Sequence, residues 1–272
     1  MYHIILVILL YFDNASNAKE YRVDDYKGKV HPAFNEKFER VEKLTKLRSG
    51  LGYESSLAWD NGIIPYELHG VFSKRELTMF HQAIEIFKNY TCVKFIPRTN
   101  EAVYVKMDNF APDCLSTMGK NFDNNISHII LGRECFNKIS PLLHEMMHTV
   151  GFDHEHTRPD RNQYITINWD NIKPSATTLF EITPRPTYGV PYDYDSIMHY
   201  APYSFTKTGF TIVPKDMKDI YRLGQSLGLS KLDITKINIL YNCSEKTRQL
   251  NLQDGILYGI ELFNVADQHE IN

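Results

Sequence analysis

Eleven consecutive residues concentrate the chemistry of this chain. The segment HEMMHTVGFDH, His144 to His154, fits H-E-x-x-H-x-x-G-x-x-H at all five specified positions. Residues four apart on a helix sit about 40° apart around its axis, so His144 and His148 share one face a turn apart. Two neutral imidazoles so placed can grip one metal ion. Glu145 lies on the neighbouring face, within reach of a water on that ion. Gly151 lets the backbone leave the helix sharply, because it carries no Cβ to strain a positive φ. The turned chain then returns His154 as a third ligand. Three protein ligands leave one position open, which marks catalytic rather than structural zinc. Zinc lowers the pKa of its water to about 7, and Glu145 is the expected general base that takes the proton and later delivers it to a leaving amine. An ordinary helix with two surface histidines would leave Gly151 and His154 unexplained.

The elements that must position these residues are legible in outline. A helix is expected to begin at Ser140, with Pro141 in its first turn. Upstream, Ile63 to Leu68 (IIPYEL) reads as a strand. Ser73 and Glu76 have capping-box spacing, and Leu77, Phe80, Ile84 and Phe87 then recur at helical intervals. Short apolar runs at VKFIPR, AVYVKM and HIILG, starting at Val93, Ala102 and His128, read as strands separated by turn residues. After Gly151 the chain is irregular and rich in Tyr, Pro and Asp. A further helix is expected from Ser230, with Asp233 at the capping position.

The two ends read differently from the middle. Residues 1–18 carry an apolar stretch from Ile4 to Tyr11 followed by Ser16 and Ala18, the pattern of a signal peptide cut near Ala18, although a basic start is missing. The competing reading of that stretch is a buried strand. Residues 19–48 hold nine Lys/Arg and six Asp/Glu with no apolar period, and read as a pro-segment. Residues 49–243 form the expected catalytic domain, and 244–272 a short tail with no recognised motif. The formal net charge of −3 argues against nucleic acid as a partner, and no stretch is long and apolar enough to span a bilayer. Export to an oxidising compartment implies that Cys92, Cys114, Cys135 and Cys243 pair, and their number allows three pairings. Sequons at Asn89, Asn125 and Asn242 could carry glycans.

The zinc segment continues as HEHTRPDRNQYITINWDNI, and SIMHY follows at Ser196 to Tyr200. Together with WDNGIIPYEL, TCVKF, PYDYDSIMHY and LGQSLGLSKLDITKINILYNC, these resemble the astacin family of zinc metalloendopeptidases over about Trp59 to Cys243. The resemblance and the pattern above imply an α+β, two-lobed metzincin fold. A twisted mixed sheet with helices would form the upper lobe, and an irregular lower lobe would carry a C-terminal helix. The resemblance implies a secreted, monomeric endopeptidase with one catalytic Zn2+, made as a proenzyme, acting on proteins or peptides and activated by a trypsin-like protease. Met198 would be an apolar floor beneath the metal, and Tyr200 a resting metal ligand that swings to stabilise the oxyanion. Cys92 would pair with Cys243, and Cys114 with Cys135. Cleavage after Arg48 would free Ser49, whose ammonium is expected to meet Glu155 in the lower lobe; the competing partners of Glu155 are Arg158 and Arg161. A basic residue among Lys215, Lys218 and Arg222 would line the pocket for an acidic side chain just after the cut bond.

Three departures from the family pattern stand out. Asn162 replaces the usual Asp after Arg161, a change expected to matter little. The segment MDNFAPDC before Cys114 lacks the usual glycines, which bears on the substrate rim. The pro-segment lacks the F-x-G-D stretch whose Asp caps zinc, leaving Glu39 or Glu42 as weak substitutes. Two other readings compete with an active endopeptidase of this family. A metzincin of another family, such as a matrixin, is disfavoured by SIMHY and GLSKLDITKIN. A secreted zinc-binding protein of the same fold that docks a partner without cutting is disfavoured by the presence of Glu145.

Overall fold

The computed structural model describes residues 57–121 and 125–244. The proposed signal peptide, pro-segment, Arg48 cleavage site and all of the tail but Ser244 lie outside them. The upper lobe is a five-stranded sheet of β1 (Ile63–His69), β2 (Lys94–Pro97), β3 (Tyr104–Asp108), β4 (Cys114–Ser116) and β5 (Ile126–Leu131), in the order β2-β1-β3-β5-β4. The first four strands of that order run parallel and β4 runs antiparallel at the edge, with Cys114 opposite Leu131. Helix α1 (Lys74–Tyr90) supplies the crossover that parallel β1 and β2 need. It begins as expected: the Ser73 side chain accepts from the Glu76 amide, and the Glu76 carboxylate accepts from the Ser73 amide.

Helix α2 (Ile139–Val150) carries the zinc segment and is buried over its whole length. A helix apolar on nearly all sides belongs inside a core. Leu142, Leu143, Met146 and Met147 fill the space against Phe80 and Phe87 of α1 and against Ile64, Val105, Met107 and Ile129 of the sheet. Burial leaves the last carbonyls of α2 without water, and distant aromatics serve them. The Trp59 indole N–H donates to Thr149 O at 2.9 Å, and the Tyr241 hydroxyl donates to Val150 O at 2.7 Å.

The lower lobe is mostly short 3-10 turns around a two-stranded ribbon, β6 (Ile165–Ile167) antiparallel to β7 (Ile212–Pro214). Its separate core gathers Ile165, Phe180, Tyr200, Phe205 and Ile212. Helix α3 (Lys231–Leu240) closes the chain with the expected Ser230/Asp233 capping box. The disulfides join Cys92 to Cys243 and Cys114 to Cys135, as the resemblance implied. The first ties the end of α3 to the start of β2. Strands β4, β6 and β7 leave no signature in the sequence. They are three residues each, too short to show alternation. Asn89, Asn125 and Asn242 are all exposed. No helix among the described residues is long and apolar enough to cross a membrane.

Candidate active site

The site lies where the two cores meet. Met198 is fully buried in the upper core, while Tyr200, two residues on, belongs to the lower one. Between them runs the turn that faces α2. His144, His148 and His154 converge so that their ligand nitrogens all lie within 4.8 Å of one another. Zinc–nitrogen bonds of about 2.0–2.1 Å in a tetrahedral site set the ligand nitrogens about 3.4 Å apart, so the rings would draw inward to hold an ion. The supporting hydrogen bonds choose the tautomers. His144 Nδ1–H donates to Ile197 O and His148 Nδ1–H to Phe152 O, each at 2.8 Å, which leaves each Nε2 lone pair for a metal. Burial holds the His144 pKa down to about 3, lowers that of His148 and pulls that of His154 well below the usual range. Three imidazoles kept neutral in an apolar pocket are the donor set that zinc takes. Among the described residues this is the one cluster of its kind.

Gly151 makes the exit that brings His154 round. Its φ is +122°, while a Cβ there would find its nearest neighbour, Leu240 Cδ2, at an ordinary 3.7 Å. Conformation, not space, demands the glycine. Its N–H closes the helix onto Met147 O and His148 O.

Glu145 is 7% exposed, and burial pushes its carboxyl up to about 8. A dication nearby would draw it back toward the ionised form. Its backbone carbonyl accepts the Ser116 hydroxyl at 2.9 Å, which ties edge strand β4 to the zinc helix. Tyr200 stacks on His156 at 4.0 Å between centroids and lies 4.5 Å from the His154 ring. Burial raises its phenol pKa, so Tyr200 stays a donor.

Sequence reasoning missed the network that holds the turn. Asp233, the capping residue of α3, accepts the Ser196 hydroxyl at 2.6 Å and the Ile197 amide at 2.9 Å. The carbonyl of that same Ile197 orients His144. Lys236 Nζ, one turn along α3, lies 3.1 Å from Asp233 Oδ1 and 2.8 Å from Glu155 Oε2. Glu155 Oε1 takes Arg158 Nη1 at 2.9 Å and the Asp193 amide at 2.9 Å. Of the partners considered for Glu155, Arg158 is thus present; Arg161 is not, and Ser49 lies outside the described residues. A lysine three residues past the capping Asp233 would have been the signal for Lys236, but only as a face of α3, not as a partner of Glu155. His199 was also overlooked. Its Nδ1–H donates to Tyr200 O at 2.7 Å and its Nε2 accepts the Tyr192 hydroxyl at 2.8 Å, fixing the backbone of the tyrosine.

The basic candidates for the pocket separate as well. Arg222 is held by Asp195 and Asp219, and Lys218 by Asp216, while among the described residues Lys215 Nζ donates only to the neutral Thr166 hydroxyl at 2.9 Å. Asn162 is exposed, in line with a surface change.

A two-lobed α+β fold, a buried HExxH helix, a glycine exit to a third histidine and a buried methionine next to the Ile197 carbonyl that orients His144 define a zinc peptidase of the metzincin type. The comparisons narrow this further. The model of the astacin peptidase family matches residues 52–242, and the chain belongs to that family. It is 39% identical over 197 residues to zinc metalloproteinase nas-14 of Caenorhabditis elegans, covering 70% of this chain and 38% of that protein. It is 35% identical over 225 residues to the dorsal-ventral patterning protein tolloid of Drosophila melanogaster, covering 79% of this chain and 21% of tolloid. The solved structure of high choriolytic enzyme 1, a hatching enzyme zinc-protease from the medaka Oryzias latipes, matches with a TM-score of 0.65 at 34% identity. That match covers 71% of this chain and 98% of the enzyme. The chain spans well under two thirds of the length of nas-14 and tolloid.

Proposed function

We propose that this chain is a secreted zinc-dependent endopeptidase that hydrolyses peptide bonds in proteins. One observation carries the reading: three histidines held neutral, His144 and His148 buried and His154 half-buried, converge beside a glutamate and a tyrosine, the acid–base and donor groups that amide hydrolysis needs. A single zinc ion on the three histidines would polarise both water and the scissile carbonyl. Glu145 takes the proton from the attacking water, holds it in a buried site and passes it to the leaving amine. Tyr200 donates its hydroxyl to the oxygen that gains charge. Its ring is set between His154 and His156, and His199 holds its backbone. Met198 closes the apolar floor.

The proenzyme reading rests on the basic, aperiodic stretch 19–48 and the Arg48 bond, whose cleavage would free Ser49 as a partner for Glu155. Because Arg158 and Lys236 already neutralise Glu155, a new ammonium would join an existing network. The missing Asp cap makes the proenzyme incompletely silent: low activity before trypsin trimming and a rise after it, which Arg48→Ala blocks.

The central test is proteolysis of casein by the trimmed protein. Chelation abolishes it and zinc restores it. Glu145→Ala retains zinc and loses activity by about 10²–10⁴. Cutting at the wild-type rate by Glu145→Ala overturns the mechanism, and zinc binding without any cutting in the wild type favours the non-proteolytic reading.

A further inference from the structure

Three loops meet at the carboxyl ends of the parallel strands β1, β3 and β5, and they present side chains that the core does not use. Val71 follows β1 and stands 87% exposed, while Phe110 follows β3 and stands 75% exposed. Among the described large apolar side chains only Tyr221 is more exposed than this pair. Their place is fixed by hydrogen bonds. The Asn109 side chain accepts from the Val71 amide at 3.2 Å and donates to the Val71 carbonyl at 2.6 Å, as a neighbouring strand would. Gly70 makes that approach possible: its φ is +120°, and a Cβ there would lie 2.0 Å from Asn109 Oδ1. The third loop, after β5, joins through the rings of Phe72 and Phe136, whose centroids are 6.2 Å apart. The clamp thus holds two apolar tips out in water, although burial would stabilise them.

The charge around the tips is positive. Lys74, Arg75, Arg133 and Lys138 are exposed and make no ion pair among the described residues. The acids of the same loops are turned inward: Glu76 serves the Ser73 amide, Asp113 is buried, and Asp108 and Glu134 are half-buried. Helices α1 and α2 both begin here, at Lys74 and Ile139, so the positive ends of two helix dipoles face the same side. Side chains as exposed as Val71 and Phe110 have no walls around them, so the pair is a convex feature and not a pocket for a small ligand. A soluble polyanion would take the cations and leave the tips in water. A lipid surface with anionic headgroups suits both, because cations lie against the headgroups while apolar tips enter the acyl boundary.

We propose that this pole of the upper lobe docks on an anionic lipid surface, with Val71 and Phe110 inserted and Lys74, Arg75, Arg133 and Lys138 against the headgroups. The contact is peripheral and reversible, since two short side chains bury far less than an acyl chain does. Docking also orients the metal site. His144 lies five residues into α2, about 7.5 Å along the helix axis from this pole, so the histidines are held close to the surface. The docking itself does not rest on the proteolytic reading above.

The full chain is sedimented with vesicles of phosphatidylcholine alone or with about a quarter phosphatidylserine, in about 0.1 M salt. The anionic vesicles bind it at least about tenfold tighter, and added salt weakens that binding. Phe110→Ser and Val71→Ser each weaken it by about three- to tenfold, and Lys74→Glu together with Arg75→Glu by about tenfold or more. All four side chains are exposed, so these variants keep the fold, which thermal melting checks. Phe110→Trp adds emission that shifts to the blue on anionic vesicles and is quenched by brominated acyl chains. Equal binding to the two kinds of vesicle overturns the proposal. Wild-type binding by Phe110→Ser does so too, as does emission from the Phe110→Trp chain that vesicles leave unchanged. Retention on heparin without vesicle binding also overturns it, and makes the pole a polyanion site.

Discussion

Replacing Lys236 with Met tests whether α3 holds the catalytic turn through charge. Lys236 is 5% exposed, and its ammonium touches Glu155 at 2.8 Å and Asp233 at 3.1 Å. Burial disfavours its charged form, yet Glu155, Asp233 and Asp193 outweigh that and raise its pKa. Methionine keeps most of the volume, so the loss is electrostatic. Removing one partner of a buried pair costs about 3–5 kcal/mol. The lower end applies here, because Glu155 retains Arg158 and Asp233 retains three hydrogen-bond donors. A loss of about 3 kcal/mol lowers Tm by roughly 6–12 °C in a domain of this size. The sign with pH follows. Without the cation, the buried Asp193 carboxyl, which burial already raises to about 7 against the pull of Lys236, rises further and holds a proton that the unfolded chain releases, so the variant recovers stability as pH falls from about 7.5 to about 5.5. Thermal melts at both values with zinc in excess provide the measurement. Because Asp233 holds Ile197, and Ile197 O orients His144, the variant also releases zinc faster to a chelator. A melting point within about 2 °C of wild type at the higher pH, or a variant that weakens further on acidification, would refute the reasoning.

Tyr200→Phe lowers kcat by about 10²-fold with KM little changed, as expected for a donor used only in the transition state; a kcat within about threefold of wild type in steady-state assays makes Tyr200 packing alone. Gly151→Ala forces a Cβ onto a φ of +122° and costs about 1–3 kcal/mol, with zinc content falling as His154 is displaced; metal analysis and melting check both. Acid sensitivity of the zinc-free protein follows from the depressed histidines. His144, His148 and His154 stay neutral when folded but protonate on unfolding below about pH 6.5, while Glu145 binds one proton in the folded state that the unfolded chain lacks. The net is two protons favouring the unfolded state, or about 2.7 kcal/mol lost per pH unit below about pH 6; denaturant titrations in chelator at about pH 6 and pH 5 that show equal stability would contradict it. His156 and His199, depressed by burial too, add in the same direction, while the carboxyls of Asp113 and Asp193, raised by burial to about 6 and about 7, oppose them by a similar amount and leave the net near two.

What the sequence determined by itself is what local geometry dictates. The 3.6-residue period places His144 and His148 on one face whatever surrounds them. Gly151 announces a backbone that only glycine adopts at low cost. The Ser73/Glu76 and Ser230/Asp233 spacings mark helix starts because each side chain serves an amide three residues away. These relations span a few residues, so the pattern of types suffices. Tertiary structure alone decided the rest. Lys236 meets Glu155 across 81 residues of sequence, and Trp59 serves Thr149 across 90. Such pairs depend on which surfaces lose water together, and that is decided when the two cores close on each other. The same Asp233 that reads as a cap turns out to hold Ile197. The Asn162 that reads as a minor surface change borders a buried Arg161 that meets no acid among the described residues. Composition cannot reveal an unpaired charge, because pairing is a property of the folded neighbourhood and not of the residue.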